Sequence, residues 1–305
     1  ISKIFNKDFE KEILLELKND IDDIEEIIRS DESYKLLKKK MVGFSDQIQK
    51  REDIFFENIN FIKETFTSTP NNYIEEDIDI IRILNDTIIQ GEFSVLPNQK
   101  LIISPGVSVK LDNAYMKIYG GFHAIGDSSN PINIYGINNY GTIYFNSEKD
   151  IIIDNVIFKK LTNNLSGYNQ PASVTFYECS SIDITNSVFK DNVRGDDFLN
   201  FFRSKNIVIK NSFFENILND AIDSDFSDIS ILNSQFNNIG NDAVDGSGSN
   251  IDIVNSKFSN VYDKGVSAGE RSFFKISNSS FVFNEIAVVS KDASNVILRA
   301  NKLNN

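Results

Sequence analysis

Six copies of an Asn-x-x-Phe element punctuate the C-terminal part of this chain, at Asn155/Phe158, Asn186/Phe189, Asn211/Phe214, Asn233/Phe236, Asn255/Phe258 and Asn278/Phe281. Successive phenylalanines lie 31, 25, 22, 22 and 23 residues apart, and an alternating apolar segment such as Ile182-Asp183-Ile184 or Ile251-Asp252-Ile253 precedes each asparagine. A unit of this length, with short strands and no helix, cannot bury its own apolar face. Stacked as coils about 4.8 Å apart, equivalent positions superpose, Phe on Phe inside and Asn on Asn in a ladder at a tight turn. The repeat predicts a mainly β chain folded as a right-handed parallel β-helix. The hand follows from the parallel strand-to-strand crossover that each coil makes.

Upstream the period is helical. Apolar residues recur at Phe9, Ile13, Leu17, Ile21, Ile24 and Ile28, then from Leu37, Met41, Phe44 and Ile48 through Phe55, Ile59, Ile62 and Phe66, with Ser30 placed to N-cap the second series. This predicts an α-helical hairpin over residues 1–66, or the tail of a preceding domain. It would cap one end of the stack, where open edges otherwise invite aggregation, or offer a face to a protein partner. Residues 67–76, with Pro70, read as a linker, and 77–305 as the β-helix.

Composition narrows the chemistry. Asp and Glu number 44 against 31 Lys and Arg, a net charge of -13, which disfavours nucleic acid as a partner. No apolar run suggests a membrane span. The single cysteine, Cys179, allows no internal disulfide and reads as a core residue. The single histidine, His123, sits in the opening coils as a surface or turn residue. Zinc sites and histidine-based triads are therefore set aside, leaving carboxylates, Lys, Arg or Tyr for any reaction.

Counted from each Phe, the sixth residue onward is Asp220, Asp242, Lys264 and Ala287, and the seventh is Ala221, Ala243, Gly265 and Val288. The eighth is Ile222, Val244, Val266 and Val289; the ninth Asp223, Asp245, Ser267 and Ser290; the eleventh Asp225, Ser247, Gly269 and Asp292. Strict alternation puts the eighth column inside and the seventh, ninth and eleventh on one outer face. The expectation is a floor of small residues flanked by carboxylates and hydroxyls, with Asp197, Asn200 and Arg203 contributed by the coil before and Glu270 at the rim. Gly246, Gly248, Gly265 and Gly269 read as bends and close coil approaches.

The opening run from Leu96 to Val107, followed by Gly120-Gly121-Phe122-His123-Ala124-Ile125-Gly126, resembles the first coils of surface β-helices of the pectate-lyase-like superfamily. The run Asp197-Phe198-Leu199-Asn200, then Asp220-Ala221-Ile222-Asp223, Asp242-Ala243-Val244-Asp245 and Asp263-Lys264-Gly265-Val266, resembles the β-helix segments beside CotH-type, spore-coat-kinase-like domains of bacterial surface proteins. That resemblance covers roughly residues 95–300 and implies a cell-envelope or secreted protein. It implies no phosphoryl transfer, because no kinase signature stands in the chain. Asp196-Asp197 is similar to the paired aspartates of polygalacturonase-like hydrolases, but the Gly-His-Gly and Arg-x-Lys companions are missing. An alginate-epimerase-type site is likewise disfavoured, since no histidine follows residue 150.

Like carboxylates stacked about 5 Å apart repel unless a cation or a shared proton compensates. Calcium bridging Asp223, Asp225 and Asp245 is one resolution. Another is a carboxyl of raised pKa acting as a general acid, with Asp197, Asp220 and Asp242 as candidates. A lyase would use Lys264, Arg203 or Lys291 as base. Asn200, Ser247, Ser267, Glu270 and Asp292 would bind substrate. Three functions stay open: a module that binds an extended polysaccharide or cell-surface glycan, with cleavage by a lyase or hydrolase reaction undecided; a structural or protein-interaction module whose ladders are scaffolding; and a phage tailspike-like depolymerase. Glycan binding requires aromatic rings on the acidic face, and Tyr177, Phe202 and Tyr262 are the candidates.

Overall fold

The computed structural model describes residues 78–163 and 172–304. The expected helical hairpin and linker lie outside the described residues. Ten strands, from Asp79–Ile83 to Asn295–Arg299, stack in parallel as one sheet, and a second sheet of sixteen strands forms the other walls. The result is a parallel β-solenoid of about nine turns.

One coil shows the plan. Ile207–Lys210 runs in the ten-stranded sheet, Asn211 turns the chain, Phe213–Ile217 follows, and after a second bend Asp220–Asp225 completes the circuit. The six repeat asparagines have φ between 48° and 53°. Asn tolerates this left-handed backbone better than other residues with a side chain, because its amide can bond locally. The amides also form a ladder: Asn211 Nδ2 donates to Asn186 Oδ1 at 3.2 Å, and Asn233 Nδ2 to Asn211 Oδ1 at 3.3 Å.

Inside, Phe158, Phe189, Phe214, Phe236, Phe258 and Phe281 stack with centroids 4.7–5.1 Å apart. A shorter stack of Phe145, Phe176 and Phe201 lies behind the candidate face. Each ring is fully buried, and such pairs add about 0.5–1.5 kcal/mol beyond their burial.

Two serine ladders join these stacks. Ser212, Ser234, Ser256 and Ser279 each accept, at Oγ, the backbone N–H of the equivalent serine one coil earlier, at 3.1–3.3 Å. Ser204, Ser227, Ser249 and Ser272 do the same at a second corner, at 2.9–3.0 Å, with Cys179 donating into the first of them. The N–H groups that a solenoid corner leaves inside the wall are thereby satisfied. Cys179 is buried as expected, and burial pushes its thiol up to about 11.

Two expectations about the columns require correction. The seventh column points inward: Phe198, Ala221 and Ala243 belong to the core, and a Cβ on Gly265 would come within 2.7 Å of the Phe281 ring. A bend at this point turns two consecutive residues inside, so strict alternation fails. The small residues make room for the phenylalanine stack; they are not a ligand floor. The last coil is also one residue shorter before its strand. Lys264 pairs with Ile286, Val266 with Val288 and Ser267 with Val289, so Asp292 falls past the strand, exposed on a turn with φ 52°.

Candidate functional site

The strands Ala172–Tyr177, Asp197–Phe202, Asp220–Asp225, Val244–Ser247 and Lys264–Gly269 lie side by side, and their outer face carries most of the candidate residues. Alternation around the inward Phe176, Phe201, Ser224, Gly246 and Ala268 turns Thr175, Asn200, Asp223, Asp245 and Ser267 outward as one column. Tyr177, Phe202, Asp225, Ser247 and Gly269 form the next.

The expected carboxylate register is present. Asp223 pairs directly with Asp245, and Asp197 with Asp220. Burial, then the charges of Asp225 and Asp245, pushes Asp223 up to about 7, even though Asn200 Nδ2 donates to its Oδ2 at 2.8 Å. Asp225 is raised mainly by burial. Asp197 is only 3% exposed, and its Oδ2 has no hydrogen-bond partner. Burial, with Asp223 and Asp220 beside it, pushes it up to about 9. Asp220 rises to about 7, mainly through burial.

Other candidates are committed to the scaffold. Asp220 Oδ1 accepts the backbone N–H of Asp242 at 2.8 Å, and Asp242 Oδ1 accepts that of Lys264 at 3.0 Å. Lys264 pairs with Asp242 at 3.3 Å and also with Asp263. Arg203 sits on a turn at φ 48°, mostly exposed, 3.8 Å from Glu178 and over the Phe202 ring. Glu270 is an exposed turn residue. Among the described residues no three His, Cys, Asp or Glu side chains converge as a metal ligand group.

Two features of the face were not read from the sequence. First, Ser267 Oγ and Thr175 Oγ1, both on the Asp223 column, are buried without hydrogen-bond partners. Second, the outward aromatics form a file. Tyr119 meets Tyr144 at 6.4 Å, Tyr144 meets Tyr177 at 6.3 Å, Tyr177 stacks on Phe202 at 5.1 Å, and Phe226 meets Phe202 edge-on at 6.2 Å. Tyr177 and Phe202 point outward, half-buried, as glycan binding requires; Phe226 and Tyr262 are largely exposed. The signal for the file was an aromatic beside each inward phenylalanine: Tyr144-Phe145, Phe176-Tyr177 and Phe201-Phe202. Tyr144 is held protonated by burial. His123, on the strand Gly121–Ile125 and not on a turn, is half-buried and lies outside this set of strands.

No known family model matches the sequence, and neither does any curated protein. Among solved structures the chain is similar to an alginate lyase from Paenibacillus sp. str. FPU-7, at 13% identity over 71% of this chain and 98% of that one, with a TM-score of 0.34.

Proposed function

We propose that this protein binds an extended polysaccharide along the outer face from Tyr119 to Ser267. The observation that carries the reading is the aromatic file of Tyr144, Tyr177, Phe202 and Phe226, which runs coil by coil into the carboxyls Asp223, Asp225 and Asp245. The outer edges of the file, ending at the largely exposed Phe226 ring, offer the apolar faces of successive sugars a continuous contact strip, and carboxyls and amides beside them accept and donate to hydroxyls. A solenoid supplies such a surface over many coils, which suits a polymer. The resemblance to segments beside CotH-type domains supports a place at the cell envelope or outside the cell. For cleavage, Asp197 is the group we assign as proton donor, because burial among neighbouring carboxyls keeps it protonated at neutral pH.

A scaffold-only role is the second reading. It is favoured at one column, where Asp220, Asp242 and Lys264 bond to backbone and to one another. Electrophoresis through gels containing soluble polysaccharides separates the two. Retardation by at least one polymer, lost in Tyr177→Ala and Phe202→Ala, supports the binding role. No retardation in any gel, or retardation unchanged by both substitutions, would overturn it.

A further inference from the structure

We infer that the sugar recognised on this face is cationic, an amine-bearing hexose polymer of the polyglucosamine type, with Asp223, Asp225 and Asp245 receiving its ammonium groups beside the Phe202 and Phe226 rings. The inference rests on the binding role proposed above and names its substrate class.

The first argument is charge. Asp197, Asp220, Asp223, Asp225 and Asp245 lie on three neighbouring strands, with Asp242 just before the third, against three basic side chains, Lys264, Arg203 and Lys291, the last beside Gly269. Lys264 is held by Asp242 and Asp263, while Arg203 lies at the turn with Glu178. A uronate chain would bring further carboxylates to a surface where these six carboxyl groups already outnumber the three cations, and like charges in a poorly hydrated site oppose binding. An ammonium group reverses that sign.

The second argument is the state of the face without a ligand. Asp223 and Asp245 are stacked in register, half-buried, and among the described residues Asn200 is the side chain that donates to Asp223. Ser267 Oγ, fully buried on the same column directly beyond Asp245, has no partner, and Thr175 Oγ1 at its other end has none either. Buried polar atoms without partners are rare in folded chains, and here they flank the carboxyls along the line that a polymer would follow. A ligand carrying donors would complete them; ammonium and hydroxyl groups are donors.

The third argument is the rings. The Phe226 side chain lies across the next coil, close enough that a Cβ on Gly248 would come within 2.7 Å of it; Phe202, with Tyr177 stacked on it and Arg203 over it, stands beside it, so the largely exposed Phe226 is the ring open to a cation. A ring face next to a carboxylate is the combination that binds an organic cation, through the ring quadrupole and the ion pair together.

The test is calorimetry on the full chain with four defined oligosaccharides: glucosamine, N-acetylglucosamine, uronate and neutral glucose oligomers, with oligolysine as a fifth probe. The glucosamine oligomer should bind at least about tenfold more tightly than its N-acetylated form, with no uronate binding. Asp223→Asn, which keeps the size and an acceptor for Asn200, should remove that preference; Phe202→Ala should weaken both sugars. Binding should also release protons, seen as heat that varies with the buffer. Equal or tighter binding of the N-acetylated, neutral or uronate oligomer would overturn the cationic inference and leave the polysaccharide role standing. Binding of no sugar would overturn both. Oligolysine binding as tightly as glucosamine, unaffected by Phe202→Ala, would assign the face to a basic peptide and overturn the inference.

Discussion

Asp197→Asn should make this protein more stable at neutral pH. The carboxyl is nearly inaccessible, its Oδ2 has no partner, and Asp223, Asp220, Asp196 and Asp225 all act on it in the same direction. Its pKa moves from 3.8 to about 9, so the folded chain keeps a proton that the unfolded chain gives up. The sign follows: the stability carried by the protonated form is complete below the unfolded value and is lost as pH rises toward the folded one. Between 3.8 and pH 7 lie about three pH units at about 1.4 kcal/mol each, so the wild type forgoes on the order of 4 kcal/mol by neutrality. Asn has the same shape, never ionises and introduces one unpaired amide where an unpaired oxygen already stood. Unfolding free energies from urea titrations should therefore coincide for the two proteins near pH 4 and diverge by about 2–4 kcal/mol in favour of the variant at pH 7. A variant that is no more stable than wild type at pH 7, or a wild-type midpoint that is flat across this range, would show that Asp197 is ionised and paired.

Gly265→Val should lower stability by about 1–3 kcal/mol, read as a fall in melting temperature, because even a Cβ meets Phe281 at 2.7 Å and the Ala287 carbonyl at 2.6 Å. Ser234→Ala leaves the Ser212 N–H buried without an acceptor and should lower stability by about 1–3 kcal/mol in the same assay, whereas the exposed Ser129→Ala should change it far less. Cys179, buried and with its thiol raised to about 11, should react with a thiol reagent only after unfolding; rapid labelling of the native chain would contradict its place in the core. Calcium is the competing occupant of Asp223, Asp225 and Asp245. Calorimetry should show no stoichiometric binding, and a heat abolished by Asp223→Ala/Asp245→Ala would restore the cation site.

The phenylalanine stack, the asparagine turns and the strand register were legible in the sequence, because each depends on a residue type recurring at coil spacing. The serine ladders recur just as regularly, at Ser187, Ser212, Ser234, Ser256 and Ser279, but serine beside a turn asparagine looks like ordinary turn chemistry. Only the corner geometry shows that the hydroxyls face inward. Alternation failed at Phe198-Leu199 and Ala221-Ile222, where a bend turns two neighbours into the core; no local pattern distinguishes that bend from a continuing strand. Counting from Phe281 misplaced Asp292 because the last coil reaches its strand one residue early. The acidic face was visible as composition, whereas the division between Asp223, open to a ligand, and Asp242, bonded to Lys264, depends on which backbone N–H groups lie within reach.

The serine ladders have a consequence for how such a chain can change length. Each rung uses the same two groups, one hydroxyl oxygen and one backbone N–H, so a coil meets its neighbours through connectors that are identical on both sides. Between Asn211, Asn233 and Asn255 the coils are also equal in length, at 22 residues. Duplication or loss of one whole period in that stretch would close the wall again with every rung filled, while any other insertion would break several rungs together. The solenoid can thus be extended or shortened in whole steps, and any surface carried on its wall would be lengthened or cut back by the same steps.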